Sequence, residues 1–346
     1  MTEAPRETPT LMSAEVAEIP AAAARFLAES RGELVAAAAA MRAADPRLLV
    51  TVARGSSDHA ATYLKYAVEL LAGVPVASVG PSVASVYGRR LRLDGAACLG
   101  ISQSGASPDI VAMMASAREG GALTIAITNV AGAPMAEAAD HGLPLWAGPE
   151  RSVAATKSFV VWVLAGLALV AEWLEVEDLR AAVAALPAQF EAALACDWRA
   201  LSDRLVRANS AFVLGRGPGF AIAAEMALKF KETCGIHAEA YSAAEVLHGP
   251  AALVQAHFPI LGLAVEDAAL GQVVATAERL AGQGADVFLT APAAGVTALP
   301  VVTGVHPLTA PLVVAVSFYR FIEALARRRG FNPDTPPYLR KVTETR

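Results

Sequence analysis

The chain has few cysteines and few histidines. Its 346 residues include three cysteines, Cys98, Cys196 and Cys234, and six histidines. The cysteines form no CxxC pair, and no group of histidines and carboxylates has a metal-ligand spacing, so we expect no metal site and no cofactor. Three separate thiols are typical of a reducing compartment, in which disulfides rarely persist.

Positive charge and long apolar runs are scarce as well. Lys and Arg number 28 against 33 Asp and Glu, a formal net charge of −5, which argues against a broad nucleic-acid surface. The longest apolar run, 159–171, is shorter than the roughly 20 residues that span a bilayer, and it predicts a buried helix. The polar N-terminus lacks the apolar segment of a signal peptide. We therefore expect a cytoplasmic protein that binds neither nucleic acid nor membrane.

Apolar residues, by contrast, are abundant. Hydrophobic residues make up 55% of the sequence and charged residues 18%. This composition predicts a large buried core and little bulk disorder. The length suffices for two α/β domains of ordinary size.

Two parts of the sequence repeat one pattern at an offset of 162 residues. In each part an apolar strand leads into an Arg-Gly turn and a helix, and further apolar strands keep the same offset. The matched pieces are Arg54-Gly55 with Arg216-Gly217, 96–101 with 258–263, and 122–128 with 284–290. We interpret the repeat as an internal duplication.

The duplication predicts the domain organisation. Strands alternate with helices in each half, which is typical of a parallel sheet covered by helices on both faces. We expect a disordered tail over 1–11, a first domain over 12–195, a second over 196–330 and a C-terminal tail over 331–346. Active sites in such sheets lie beyond the carboxyl ends of the strands.

A segment rich in hydroxyl groups follows the predicted strand 96–101. Residues 102–107 read Ser-Gln-Ser-Gly-Ala-Ser, and a helix is expected from Asp109. A helix N-terminus presents unpaired N–H groups and a positive dipole end, which suit a phosphate. Composition alone leaves open a Ser-rich turn that only caps the helix. The counterpart 264–267 reads Ala-Val-Glu-Asp and would repel a phosphate, so the duplication favours one phosphate site per chain, built from neutral donors.

A predicted helix of the second half carries charged residues on one face. Glu225, Lys229 and Glu232 stand at i, i+4 and i+7. This spacing is typical of an exposed salt-bridge stripe, but the helix follows the turn 215–217 and should pack on the sheet, so a catalytic role is the rival interpretation. His248 precedes Gly-Pro, where a lone histidine is more often a turn residue than a catalyst.

These segments resemble the sugar isomerase (SIS) domain family, and within it the isomerase half of glucosamine-6-phosphate synthase. The resemblance extends over nearly the whole chain from about Met12 and is most specific between Glu225 and Pro250. It implies two tandem SIS domains, each an α/β flavodoxin-like three-layer sandwich with a parallel sheet between helices. The segments that carry it are 13–20, the RGSS turn, the SQSG loop, ITNVAGAP, SVAATKSF, ALKFKETCGIHAEAY, EVLHGP and 334–343.

The resemblance implies roles for individual residues toward a small phosphosugar substrate. Glu232 would move a proton between C1 and C2 of the sugar, with Glu225 and Lys229 in support. His248 would open the sugar ring from a neighbouring subunit, which implies a homodimer, and Lys341 would close over the substrate. The residues implied in phosphate binding are Ser102, Gln103, Ser104 and Ser107, and those that would line the sugar are Gly55, Ser56, Ser57, Val153 and Ala155.

The sequence also departs from the synthase. Ala106 replaces a glutamate of the phosphate loop, and Ala155 replaces a serine near the sugar. No glutaminase segment precedes the first SIS domain, so we expect the reverse reaction, that of a glucosamine-6-phosphate deaminase releasing ammonia. A plain phosphosugar aldose–ketose isomerase, a deglycase and a non-catalytic phosphosugar sensor are the alternatives.

Overall fold

The computed structural model describes residues 9–341, which form two all-parallel five-stranded sheets. The strand order is β2-β1-β3-β4-β5 in the first sheet and β10-β9-β8-β6-β7 in the second. The strands are β1 (Leu48–Val52), β2 (Val76–Ser78), β3 (Ala96–Ser102), β4 (Leu123–Thr128), β5 (His141–Pro144), β6 (Ser210–Gly215), β7 (His237–Ser242), β8 (Pro259–Gly262), β9 (Asp286–Leu289) and β10 (Thr297–Ala298).

Helices cover both faces of each sheet and join the two halves. They are α1 (Leu11–Ala17), α2 (Ile19–Glu29), α3 (Arg31–Ala44), α4 (Ser56–Ala72), α5 (Ser82–Ser85), α6 (Pro108–Glu119), α7 (Pro134–Glu137), α8 (Lys157–Leu174), α9 (Glu177–Leu194), α10 (Arg199–Leu205), α11 (Pro218–Cys234), α12 (Leu270–Gly282) and α13 (Ala310–Arg328), with 3-10 turns at Glu245–His248 and Pro250–Leu253. The α/β fold predicted from the sequence is confirmed.

The structure repeats the duplication that the sequence predicts. The central strands β1, β3 and β4 of the first sheet match β6, β8 and β9 of the second in order and direction. The turns that open α4 and α11 are also alike, since Gly55 has φ 58° and ψ −131° and Gly217 has φ 56° and ψ −135°. Glycine is needed at both turns because other residues rarely adopt positive φ.

The burial of the strands explains why apolar runs in the sequence predict them. Every residue of β3 is buried, and β4 is buried from Thr124 onward. A strand covered by helices on both faces reads as a continuous apolar run rather than an alternating one.

The long apolar run lies in α8, as predicted. Among residues 9–341, one straight helix, α8, is long and apolar enough to span a membrane, and 89% of it is buried inside the protein. It packs against α2, α3, α4, α9 and α13. A helix that is apolar all round is typical of a core position.

Two helices bring the halves into contact. Helix α4 of the first half packs on α11 of the second, and α11 also packs on α13. Tyr63 of α4 is fully buried and donates a hydrogen bond to the carbonyl of Leu308 at 2.7 Å. Ser56, in the N-terminal turn of α4, donates a hydrogen bond to Glu225 of α11 at 3.1 Å, so this turn meets the charged face described above.

The N-terminal helix contacts the C-terminal segment. Helix α1 begins at Leu11, and Pro9 and Thr10 precede it. Residues 1–8 of the predicted tail lie outside the described residues. The carboxylate of Asp334 accepts hydrogen bonds from the backbone N–H groups of Leu11 at 2.8 Å and Met12 at 2.9 Å.

Candidate active site

A cleft of about 290 Å³ opens beyond the carboxyl ends of the first sheet. It gathers five parts of the chain: the turn after β1, the loop after β3, the segment before α8, helix α11 and the C-terminal tail. Predicted site residues that line it are Gly55, Ser56, Ser57, Ser102, Gln103, Ser104, Ser107, Val153, Ala155, Glu232 and Lys341. The remaining lining residues, Arg54, Ile110 and Trp162, were not predicted.

The hydroxyl-rich loop has a defined shape that depends on Gly105. Its φ is +60°, and a Cβ there would lie 2.7 Å from the Cβ of Ala133. The Gly105 N–H donates to the hydroxyl of Ser102 at 3.1 Å, and the Ala106 N–H donates to that of Ser104 at 3.3 Å. Helix α6 then starts at Pro108, so the loop stands at a helix N-terminus, as the phosphate interpretation requires.

Arg54 adds a cation that the sequence-based prediction of neutral donors missed. Its guanidinium contacts the Asp109 carboxylate at 2.7 Å, and about a third of its side chain stays exposed in the cleft wall. Ser57 fixes the turn, because its hydroxyl donates to the Arg54 carbonyl at 2.8 Å and accepts from the Arg54 N–H at 3.1 Å. The repeated Arg-Gly pair was visible in the sequence, but its position beside the loop was not.

The charged face of α11 is buried, so its interpretation as an exposed salt-bridge stripe is wrong. The side chains of Glu225 and Lys229 are 1% and 0% exposed, and Glu232 is 21% exposed. The Lys229 ammonium contacts the Glu232 carboxylate, lies 3.3 Å from Glu225 and donates to the Ser56 hydroxyl at 3.0 Å. Glu232 lines the cleft, while Glu225 and Lys229 lie behind it.

Glu225 is the centre of the buried network. Its carboxylate accepts hydrogen bonds from the hydroxyls of Ser56 at 3.1 Å and Tyr319 at 3.0 Å, and it pairs with Nδ1 of His59 at 2.9 Å. Burial by itself raises the pKa of Glu225, but the Lys229 ammonium and His59 outweigh it, so the pKa lies below its usual value. Tyr319 and His59 were not predicted, because they lie on α13 and α4, far from Glu225 in sequence.

Lys229 stays charged although it is buried. Desolvation lowers the pKa of its ammonium, yet the two carboxylates Glu225 and Glu232 outweigh this effect and raise the pKa above its usual value. The Lys229 ammonium thus places a positive charge directly beside the Glu232 carboxylate that lines the cleft.

His248 lies outside this cleft within one chain. It ends the 3-10 turn Glu245–His248 after β7 and is exposed. Its assignment to the site of a neighbouring subunit stays a prediction. Within residues 9–341, no group of three or more His, Cys, Asp or Glu side chains is arranged to hold a metal ion.

The second half has a counterpart cleft with different chemistry. It is lined by Arg216 and Gly217, which match Arg54 and Gly55 at the 162-residue offset, and by Leu70, Asp267 and Ala269. Leu70 stands at the position that matches Glu232, and the Ser-rich loop is replaced by Asp267 and its neighbours. The carboxylate and the hydroxyl-rich loop thus meet in the first-half cleft.

Comparison with known proteins identifies the family. Residues 44–172 and 204–290 match the SIS domain. The chain belongs to the SIS domain family. The resemblance predicted from the sequence is confirmed, and the two matched segments fall on the two parallel sheets.

Individual SIS proteins refine the comparison. The chain is 34% identical over 309 residues to the isomerizing glutamine–fructose-6-phosphate aminotransferase of Zymomonas mobilis, covering 84% of this chain and 51% of that protein. It therefore spans about half the length of the curated relatives it matches. A solved structure from Silicibacter pomeroyi, described as a phosphosugar isomerase, is 50% identical in sequence to this chain. The two superpose with a TM-score of 0.91, and the match covers 94% of this chain and 100% of that one.

A third SIS structure shares the fold alone. Glucosamine-6-phosphate deaminase from Thermotoga maritima is 20% identical, with a TM-score of 0.77, and the match covers 97% of this chain and 100% of that one. At this identity the likeness shows a common architecture and carries no residue roles.

Proposed function

We propose that this protein is a phosphosugar aldose–ketose isomerase and that it acts on glucosamine 6-phosphate as a deaminase. The observation that carries the proposal is the shared cleft of Glu232 and the loop 102–107. A carboxylate that can move a proton faces a helix N-terminus that can hold a phosphate, so one bound molecule can meet both.

The loop and Arg54 supply the anchor in this proposal. The N–H groups at the start of α6 and the hydroxyls of Ser104 and Ser107 bind the phosphate, and Arg54 adds positive charge at the cleft wall. Anchoring the phosphate fixes C1 and C2 of the open-chain sugar near Glu232. Val153 and Ala155 line the sugar on the opposite side.

Glu232 performs the proton transfer. After His248 of a neighbouring subunit has assisted ring opening, Glu232 takes the proton from C2 and a water molecule protonates the C1 oxygen, which gives an enolamine and hydroxide. Glu232 then returns its proton to C1, and the C2 amine loses a proton to the hydroxide as it becomes an imine. Water adds to C2, ammonia leaves, and the products are fructose 6-phosphate and ammonia.

The relatives support an amino sugar as the substrate. The Zymomonas mobilis relative is named for transfer of an amino group to fructose 6-phosphate. A site of that type, run in reverse with water at C2, releases ammonia. Ala155 lines the cleft and Ala106 lies in the adjoining loop, and both side chains are smaller than the serine and the glutamate that the synthase has at these positions.

The test is ammonia release from a panel of 2-amino-2-deoxyhexose 6-phosphates, measured together with fructose 6-phosphate. Equal amounts of both products support the deaminase. Ketose formation from non-aminated aldose 6-phosphates, with no ammonia release from the amino sugars, would identify a plain isomerase, and ammonia or amine release only from sugar–amine adducts would identify a deglycase. No turnover of any phosphosugar would overturn the proposal.

The Glu232→Gln variant tests the assigned base. Proton transfer by a positioned group contributes about 10²–10⁴-fold, so kcat should fall by about that factor while the phosphosugar still binds. Glu239→Gln is the matched control, because Glu239 lies on β7 outside the cleft and should leave turnover unchanged. Near-normal turnover of Glu232→Gln would remove this residue from the role.

We further propose that the protein works as a homodimer in the cytoplasm. The support is the position of His248, which is exposed and outside the cleft of its own chain. A ring-opening histidine must reach the substrate, and a neighbouring subunit can supply it.

A further inference from the structure

A buried carboxylate, Glu150, lies beside the cleft and has no part in the proton transfer above. Its side chain is fully buried. It accepts hydrogen bonds from the N–H groups of Thr156 and Ser158, each at 3.0 Å, and from the Ser158 hydroxyl at 2.5 Å. Glu150 thus ties the first turn of α8 to the segment that precedes it.

Two further donors to Glu150 come from residues that line the cleft. The amide nitrogen of Gln103 lies 3.3 Å from Oε2 of Glu150 and 3.4 Å from its backbone carbonyl. The Lys341 ammonium lies 3.3 Å from the same Oε2. The phosphate loop and the C-terminal tail therefore meet on one carboxylate oxygen.

The contacts of Gln103 define which way its amide points. Both neighbouring atoms of Glu150 are acceptors, so the amide nitrogen must face them. The amide Oε1 is then the atom left to accept a hydrogen bond from a ligand. A Gln103 side chain held in this way contributes an acceptor to the cleft.

The charge of Lys341 balances the charge of Glu150. Burial raises the pKa of Glu150, but Lys341 and the hydrogen bonds from Ser158 and Thr156 outweigh burial and keep the pKa below its usual value. A buried carboxylate without a cation is costly. Removing the charge at position 150 therefore removes the electrostatic reason for the Lys341 side chain to lie at the cleft.

We propose that Glu150 is a positioning residue that holds Lys341 of the tail and Gln103 of the phosphate loop in the cleft. It touches no substrate atom and acts through these two side chains. The tail and the loop are thereby coupled, because both depend on one carboxylate.

The first test measures the chemical reactivity of the Lys341 amine. Glu150→Gln keeps the size of the side chain and an acceptor for the α8 N–H groups but removes the charge. Labelling of Lys341 by an amine-reactive ester, followed by mass spectrometry, should become about fivefold faster in this variant. Glu150→Asp retains the charge and should restore slow labelling in part. Labelling at the wild-type rate in Glu150→Gln would overturn the proposal.

The second test measures enzyme kinetics. It rests on the proposed function, whereas the labelling test does not. Glu150→Gln should raise KM through Gln103 and lower kcat through Lys341. Glu150→Gln/Lys341→Met should have the same kcat as Lys341→Met alone, because both changes break one contact. Fully additive losses in kcat would overturn the coupling.

A matched control separates positioning from stability. Glu323 is also a buried carboxylate, but it pairs with Thr10 and Arg327 and does not line the cleft. Glu323→Gln should lower the melting temperature without changing the rate of Lys341 labelling, KM or kcat. Should Glu323→Gln reproduce both effects of Glu150→Gln, a general loss of structure would explain them and the proposal would fail.

Discussion

At the scale of single residues, the candidate site is a set of charges held out of water. Glu225 and Lys229 are almost completely buried, and each compensates part of the other's charge. Breaking a buried pair by removing one charge costs about 3–5 kcal/mol, since the partner is left uncompensated. The site residues of α11 therefore contribute to folding as well as to chemistry.

Glu225 should make stability depend on acid pH. Its pKa is lowered by folding, so the ionised group stabilises the folded state above its unfolded pKa of about 4.3, and this contribution is lost as the pH falls through the folded pKa. Glu225→Gln should cost about 3 kcal/mol at pH 7 and flatten the fall in melting temperature as the pH drops from about 5 through the folded pKa. The exposed pair of Glu119 with Arg90 gives the control, Glu119→Gln. An unchanged acid slope in Glu225→Gln would contradict the assignment.

Single residues also show where sequence reasoning was sufficient. Helix spacing placed Glu232 on one face with Glu225 and Lys229, and the position after a strand indicated the serines of the loop, because both are local properties; the role of Glu232 came from the family resemblance. Arg54 with Asp109, and Glu150 with Lys341, are contacts between segments that only the folded chain brings together. Nothing in the spacing of these residues indicates that they meet.

At the scale of elements, the junction of β3 and α6 determines the shape of the cleft. The loop turns at Gly105, where positive φ and the neighbouring Ala133 leave no room for a side chain. The strands and this junction were predicted because buried parallel strands read as apolar runs. The bend of the loop toward β4 follows from packing, which the sequence does not record.

Gly105→Ala should therefore destabilise the protein by about 2–4 kcal/mol, from backbone strain together with crowding against Ala133. Gly132→Ala is the matched control, since Gly132 has φ +68° but nothing within 4 Å of a Cβ. Chemical denaturation of both variants measures the difference. An equal loss in the two variants would show that crowding at position 105 is absent.

At the scale of the whole molecule, the two halves have the same scaffold and different chemistry. The duplication supplies two clefts, and the residue that matches Glu232 in the second is Leu70. The second half instead gives α11 to the first-half site. This asymmetry was partly visible in the sequence, through the acidic residues at 266–267.

The proposed dimer predicts complementation between two inactive variants. Glu232→Gln and His248→Asn should each be inactive alone, because each removes one group from every site. Mixed dimers would contain one site with both native residues, so co-refolded protein should recover partial activity, measured by product formation. Mixed dimers without activity, detected by mass, would place His248 outside the partner's site.

The contact between Asp334 and the start of α1 has a consequence for the connectivity of the chain. The backbone N–H groups of Leu11 and Met12 hold a carboxylate from the C-terminal segment, so the first helix and the last segment touch. Contact between the first helix and the last described segment favours circular permutation, because these two segments can be joined over a short distance. Joining the two ends with a short linker and opening the chain between α9 and α10 would reverse the order of the halves. The resulting polypeptide would begin with the half that carries Glu232 and end with the half that carries the hydroxyl-rich loop.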